Sequence, residues 1–283
     1  LALASTDNYK ETRNYTQFTP SADEGKWKTT SPDYAPAIEP NWNKIRPFYL
    51  DSASQFTPER PTTFDVNEGS TFYSETAFVK NTVDSIDDNK KEIANFWDCN
   101  PNISHHHGHM MYFLQKISPG GHWIHIGLQA LEQKNVPLIE AAYNMALLAT
   151  SINDAFIACW DEKYRSNYIR PETVIKQEMD KNWEPILQTP PFPEYPSGHS
   201  VVSATSATIL TKIYGAPFAF TDSTEKAFGL PIRSFNSFRE ASDEAAISRL
   251  YGGIHFMPAI KNGVEMGNKV GDFILNKTLK EKS

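Results

Sequence analysis

The chain has 283 residues, 40% hydrophobic and 22% charged, which is ordinary for a globular protein with a sizeable core. Its net charge of −7 argues against a nucleic-acid partner. The densest apolar stretch, Leu138 to Trp160, is broken by Glu140, Asn144, Asn153 and Asp154, so no transmembrane helix is expected. Cys99 and Cys159 define no disulfide framework and read as free, partly buried thiols. No signal peptide is visible, and the start at Leu1 without Met reads as a mature or trimmed form.

Residues 1–65 are polar and rich in Pro, Thr, Asn and Asp, with no sustained period. Trp27, Tyr34, Trp42, Phe48 and Tyr49 are scattered through them. This stretch is expected to be an extended arm held on the body by its aromatic anchors, with residues 66–283 forming a single α-helical domain. From about residue 69 the pattern turns helical, with Phe72, Thr76, Val79 and Val83 at helical spacing. A second helix is expected from Asp84 to Trp97, stopped by Asp98-Cys99-Asn100-Pro101-Asn102, a candidate lid. Ser104 is expected to cap a helix from His105 to Ile117. Ser118-Pro119-Gly120-Gly121 reads as a turn before a helix from His122 to Lys134, with Ile124, Leu128 and Leu131 on one stripe. Asn135 then caps a helix with Pro137 in its first turn. That helix runs to about Arg165, is apolar on most faces and reads as a central buried element.

After a proline-rich loop, Tyr195-Pro196-Ser197-Gly198-His199-Ser200 precedes the apolar run Val201, Val202, Ala204, Ala207, Ile209 and Leu210. The segment reads as a helix N-terminus, whose unpaired amides and dipole favour an anion. Gly215 to Gly229 reads as a loop or short turns. Ser237 or Ser242 begins a helix that Gly252-Gly253 weakens or ends, and Pro258 opens the last helix, to about Leu279. Strand signals are few, so the predicted fold is all-α, a multi-helix bundle.

Three more groups suit the same anion. Lys163 and Arg170 are seven apart, on one face of a continuing helix, although Pro171 puts Arg170 at a helix end or turn. Arginine offers a planar fork and lysine a point charge. Arg249 and His255 are six apart, and Gly252-Gly253 permits the bend that turns both to one point. Each piece alone has an ordinary explanation: a solvated basic face for the first pair, a core histidine for His255. Together they suit a tetrahedral or trigonal-bipyramidal oxyanion, with His255 bonding to its central atom and His199 moving protons.

The set Lys163-x6-Arg170-Pro171, Pro196-Ser197-Gly198-His199 and Ser248-Arg249-x5-His255 resembles the type 2 phosphatidic acid phosphatase superfamily, which includes acid phosphatases and vanadium-dependent haloperoxidases. The resemblance implies packed four-helix bundles and an anion, vanadate or phosphate, held by Lys163, Arg170, Ser197, Gly198, His199 and Arg249. It implies that His255 is the vanadium ligand or the phosphate nucleophile and that His199 is the acid/base. One position departs: the family's aspartate four residues after His255 is Ala259. A backbone carbonyl or another acid such as Glu265 would then have to fix the His255 tautomer. That departure weighs more against a nucleophilic histidine than against a vanadate ligand.

Trp160, three before Lys163, the length of the chain and the Gly-Gly-Ile-His-Phe segment resemble bacterial vanadium haloperoxidase-like proteins more than short acid phosphatases. Trp160 is therefore a candidate cofactor-binding residue, with a core aromatic as the plain reading. The resemblance implies oxidation of iodide, or of bromide, by hydrogen peroxide, with Lys163, His199 and His255 catalytic, in a secreted or periplasmic enzyme. The alternatives are an acid phosphatase working through a phosphohistidine at His255, and a non-catalytic phosphate- or vanadate-binding protein. His105-His106-His107-Gly108-His109 places His105 and His109 one helical turn apart, as a metal site would. No H-E-x-x-H base is present and Gly108 weakens a helix, so a plain polar segment is the favoured reading, ahead of a pocket-lining role for one histidine and then of a metal site.

Overall fold

The computed structural model describes residue 2 and residues 4–101, 103–107, 110–114 and 116–280. In chain order the helices are α1 (Tyr9–Thr12), α2 (Thr71–Asp84), α3 (Asp88–Phe96), α4 (Pro119–Lys134), α5 (Leu138–Ser166), α6 (Pro171–Glu178), α7 (Gly198–Tyr214), α8 (Phe238–Tyr251) and α9 (Met257–Lys280). Two antiparallel pairs interrupt them: β1 (Ile103–His107) with β2 (Met110–Leu114), and β3 (Phe220–Asp222) with β4 (Arg233–Phe235). Short 3-10 turns lie at Ala4–Thr6, Trp42–Lys44 and Thr224–Phe228. The chain is a mostly helical bundle, as the periodicity predicts.

Helix α7 is the axis of the bundle. Its small and β-branched side chains are buried from Ser200 to Leu210, and α4, α5, α8 and α9 pack around it. The closest approach is to α9, where Gly263, Gly267 and Gly271 recur one turn apart. A Cβ on Gly267 would lie 2.3 Å from the Val201 carbonyl oxygen, so the two backbones pass at a distance no larger side chain permits. The main core joins Trp97, Trp123, Ile126, Leu148, Ile152, Val202, Ile209, Phe238, Val270 and Ile274. At ~25 cal/mol per Å² of apolar surface, each such side chain contributes roughly 1.5–3 kcal/mol relative to exposure. A second cluster, around Phe72, Val79, Ile175, Tyr195 and Phe256, closes the other side.

The predicted face of α2 is the buried one: Phe72, Thr76, Val79 and Val83. Elsewhere the helical reading fails in instructive ways. Residues expected to form a helix from His105 to Ile117 include the β1–β2 hairpin, with Ser104 opposite Phe113. His105 lies on β1, and Gly108 and His109 lie outside the described residues, so the shared helix face has no basis. The predicted turn at Ser118–Gly121 is the first turn of α4: Ser118 caps it by accepting from the Gly121 amide at 3.1 Å. The buried face of α4 is then Gly120, His122, Trp123, Ile126, Gly127 and Ala130, and Leu128 is exposed. Asn135 closes α4 in the left-handed conformation rather than capping α5. The start of α5 is not buried all round either, since Leu138 and Ile139 are exposed, and the burial begins near Asn144.

Of the N-terminal aromatics, Trp27 is fully buried, whereas Tyr34 and Phe48 are exposed. Much of the hold on this stretch is polar. The buried Asp154 carboxylate of α5 accepts the amides of Phe48, Tyr49 and Leu50 at 2.8, 2.7 and 3.0 Å. Among the described residues no helix is long and apolar enough to cross a membrane.

Candidate functional site

Residues from several segments meet at a cavity of about 130 Å³ beside the N-terminus of α7. Gly198 and His199 line it from α7, Arg249 from the last turn of α8, and Ile254 and His255 from the turn that follows. Trp42, Phe156, Trp160 and Phe192 make its apolar wall, and Asp98 to Pro101 close another side. Asp98–Pro101 thus form part of the wall of the site; Asn102 lies outside the described residues.

Lys163 and Arg170 are not on one continuing helix. Helix α5 ends at Ser166, Asn167 takes the left-handed conformation, and Arg170 is the residue before α6. The break turns Arg170 inward, and both cations are fully buried. The Arg170 guanidinium donates to the carbonyls of Phe192 and Ile254 and packs on the Phe192 ring at 5.1 Å. Its Nη2 is buried with no partner. Lys163 Nζ sits 5.0 Å from the Phe192 ring centre and 5.7 Å from that of Trp160. It donates to the carbonyls of Pro193, Glu194 and Pro196, which uses all three of its N–H bonds. Lys163 therefore brings charge to the site rather than a free donor. Burial pulls the Lys163 ammonium down to about 7 and the Arg170 guanidinium to about 10.

The Pro-Ser-Gly-His segment forms the helix end that the sequence predicts. Ser197 is the cap, its oxygen accepting the Ser200 amide at 3.3 Å, and its own hydroxyl proton is left to donate. The first-turn amides of Gly198 and His199 have no carbonyl four residues back in the helix. Gly198 permits close approach: a Cβ there would meet Trp160 at 3.3 Å and Lys163 at 3.8 Å. His199 is half-buried, and its Nε2 is buried with no partner. Burial, and then the nearby Arg249 charge, hold its pKa well below the usual histidine value. The Trp160 indole donates to the Ile38 carbonyl at 3.3 Å, so it meets the cavity through its ring face.

Arg249 and His255 line the same cavity because α8 stops at Tyr251 and Gly253 takes a positive φ of 77°. Arg249 Nη2 donates to the Ala94 carbonyl and its Nε to Ser248. His255 has a partner that the sequence analysis missed. Its Nδ1 lies 2.8 Å from Glu194 Oε1, an oxygen that also accepts the Phe256 amide at 2.9 Å. Arg170 Nη1 lies 3.2 Å from His255 Nε2. Arginine can only donate, so Nε2 is the unprotonated nitrogen and Nδ1 carries the proton toward Glu194. Burial and the neighbouring cations keep the imidazole neutral, with its pKa well below the usual value. Burial raises Glu194 to about 7 against the pull of Arg170 and Lys163.

Glu194 thus takes the orienting position that Ala259 leaves without a carboxylate. Glu265, the acid considered from sequence, is exposed and paired with Lys269. Ala259 contributes through its backbone instead, its carbonyl accepting the Ser197 amide at 3.1 Å. Glu194 was legible only in hindsight: it is an ionisable residue inside an otherwise apolar, proline-rich loop. Cys99 and Cys159 are both free and buried, as expected.

Residues 143–281 match the family described as the VCPO second helical-bundle domain. The crystal structure of the first bacterial vanadium-dependent iodoperoxidase is similar with a TM-score of 0.91 and 48% identity, over 96% of this chain and 65% of that one. Holo-type bacterial vanadium-dependent chloroperoxidase is similar in fold, with a TM-score of 0.74 and 16% identity over 94% of this chain and 65% of that one. The apo-type chloroperoxidase gives 0.70 and 15% over 94% and 63%. The chain thus spans just under two thirds of the length of these structures. No curated protein matches it.

Proposed function

We propose, from the premise that this chain belongs to the vanadium-dependent haloperoxidase family, that it binds vanadate and oxidises iodide with hydrogen peroxide to hypohalous acid, bromide being the second halide. The observation that carries the reading is the buried, neutral His255 with Nε2 unprotonated beside Arg170, lining a cavity that Arg249 also faces. The donor set fits the group. Arg170 Nη2 is buried without a partner, and the first turn of α7 offers its amides, as an oxyanion requires. Phosphate fits the same donors.

Vanadate, when bound, supplies the Lewis-acidic centre at which peroxide is activated toward halide. Arg170 and Arg249 would neutralise its oxygens, Ser197 would donate a hydroxyl proton, and the Gly198 and His199 amides would add N–H donors. His255 Nε2 would be its nitrogen ligand, held in place by Glu194 through Nδ1–H. Lys163 would favour negative charge by its field, or by releasing one carbonyl to donate directly. His199, neutral because it is half-buried beside Arg249, would accept a proton at Nε2 as peroxide enters. Trp42, Phe156, Trp160 and Phe192 would keep bulk water from the reacting atoms.

Purified protein loaded with orthovanadate is expected to form triiodide from iodide and hydrogen peroxide. His255→Ala should remove that turnover, by ~10³-fold or more. Hydrolysis of p-nitrophenyl phosphate without halide turnover would overturn the reading. One observation does favour that runner-up: Glu194 gives His255 the carboxylate partner a nucleophilic histidine benefits from. Absence of both activities in folded, vanadate-binding protein would leave a binding protein. A secreted or periplasmic location accompanies the enzyme reading, supported by the family likeness alone.

A further inference from the structure

A second cluster of reactive groups lies behind the cavity wall. Cys99 Sγ, in the turn after α3, is 3.2 Å from His122 Nδ1 on α4. The same nitrogen is 3.3 Å from Glu225 Oε1, in the 3-10 turn after β3. The three ligand atoms lie within 4.8 Å of one another, and all three residues are buried. On the far side of the ring, His122 Nε2 is 2.7 Å from Asp222 Oδ2. Both Glu225 oxygens are buried, and neither has a hydrogen-bond partner. Trp97 stacks on the His122 ring at 4.6 Å and fixes its plane.

We propose that Cys99, His122 and Glu225 form a buried site for a divalent cation of the zinc type. Metal bonds of ~2.3 Å to sulfur and ~2.0 Å to nitrogen and oxygen, at tetrahedral angles, place S and N about 3.5 Å apart and N and O about 3.3 Å apart. The observed separations lie close to both. The charges agree as well. Two carboxylates and a thiol are buried around a single imidazole, and among the described residues Glu225 has only the His122 ring, at 3.3 Å, to offset its loss of water. Binding replaces the Cys99 thiol proton and the proton on His122 Nδ1, both of which leave to solvent, with metal–sulfur and metal–nitrogen bonds, and no electron moves. The thiolate and the Glu225 carboxylate neutralise the dication, and the three ligands leave a fourth position for water. Asp222 accepts the proton on His122 Nε2 and aims Nδ1 at the ion, the carboxylate–histidine–metal arrangement. The ion would tie the turn at Cys99, part of the wall of the anion cavity, to α4 and to the turn after β3.

Cobalt(II) is the probe, added to the chelator-treated full chain. One cobalt per chain is expected, with a near-ultraviolet thiolate-to-cobalt charge-transfer absorption and the intense visible bands of a tetrahedral site. Zinc should abolish both. Asp222→Asn should weaken cobalt binding ~10- to 100-fold, and Cys99→Ser should erase the charge-transfer band. A folded wild-type protein that gains no such band in excess cobalt overturns the proposal, whatever becomes of the variants. So does a band that survives in Cys99→Ser, because the sulfur ligand would then lie elsewhere. A band seen only with Cys99 present, on folded protein by circular dichroism, sustains it.

Discussion

Two buried clusters of ionisable groups meet at Cys99, and they are of opposite sign. The proposed anion site gathers Lys163, Arg170 and Arg249 around His199 and His255, with Glu194 as counter-charge. The cluster behind it gathers Asp222, Glu225 and Cys99 around His122. Their histidines record the difference. Burial and cations hold His199 and His255 well below the usual value. Burial also pulls His122 down, but Cys99, Asp222 and Glu225 together lift it well above. His122 and His255 are buried alike, so the neighbours decide the sign. One cluster is poised for an anion and the other for a cation.

Arg170 is where this contrast would break most plainly. Arg170→Ala removes the guanidinium whose charge offsets the buried Glu194, at a cost of ~3–5 kcal/mol for an unpaired buried charge. Vanadate affinity should fall roughly 10²- to 10⁴-fold, measured by equilibrium titration, and retention of wild-type affinity would remove Arg170 from the site. Glu194→Gln is expected to cost less, ~10- to 100-fold in vanadate affinity, because only the orientation and basicity of His255 change. If Ala259 were the whole story of the missing carboxylate, this variant would bind like the wild type.

The smallest effect is that of pH. Lys163 is held at about 7 by burial, so it is cationic below that point and neutral above it. A cation favours the anion, so vanadate affinity should fall as pH rises, by at most ~tenfold per unit for the single proton. The fall begins near the unliganded value of about 7 and levels off at the higher value that a bound anion gives the lysine. Lys163→Met should flatten that part of the profile, and an unchanged slope would assign it to another group.

The two clusters also differ in how far they could be read from the sequence. The anion site is built on short-range spacings, each with a local reason: a helix cap at Ser197, a proline after Arg170, a glycine pair before His255. Glu194 escaped because its partner is 61 residues away in the chain. The metal-type cluster has no local spacing at all, since His122 and Asp222 are 100 residues apart and meet only when α4 packs beside β3. Periodicity found α2 because its buried residues are mostly apolar, and it misplaced α4 because that helix buries glycine and histidine. The β1–β2 hairpin was misread because its run of histidine, methionine and aromatic residues suits a strand as well as a helix.

Asp154 fastens three successive amides, so the segment at Phe48–Leu50 is bolted to the middle of α5. The chain just ahead of that bolt brings Ile38 and Trp42 to the cavity and so acts as its gasket. A gasket fails by leaking. Asp154→Ala would leave the charged side chains of the site in place, yet admit water to the reacting atoms. The symptom would be peroxide consumed without an equal yield of oxidised halide, measurable as the ratio of the two.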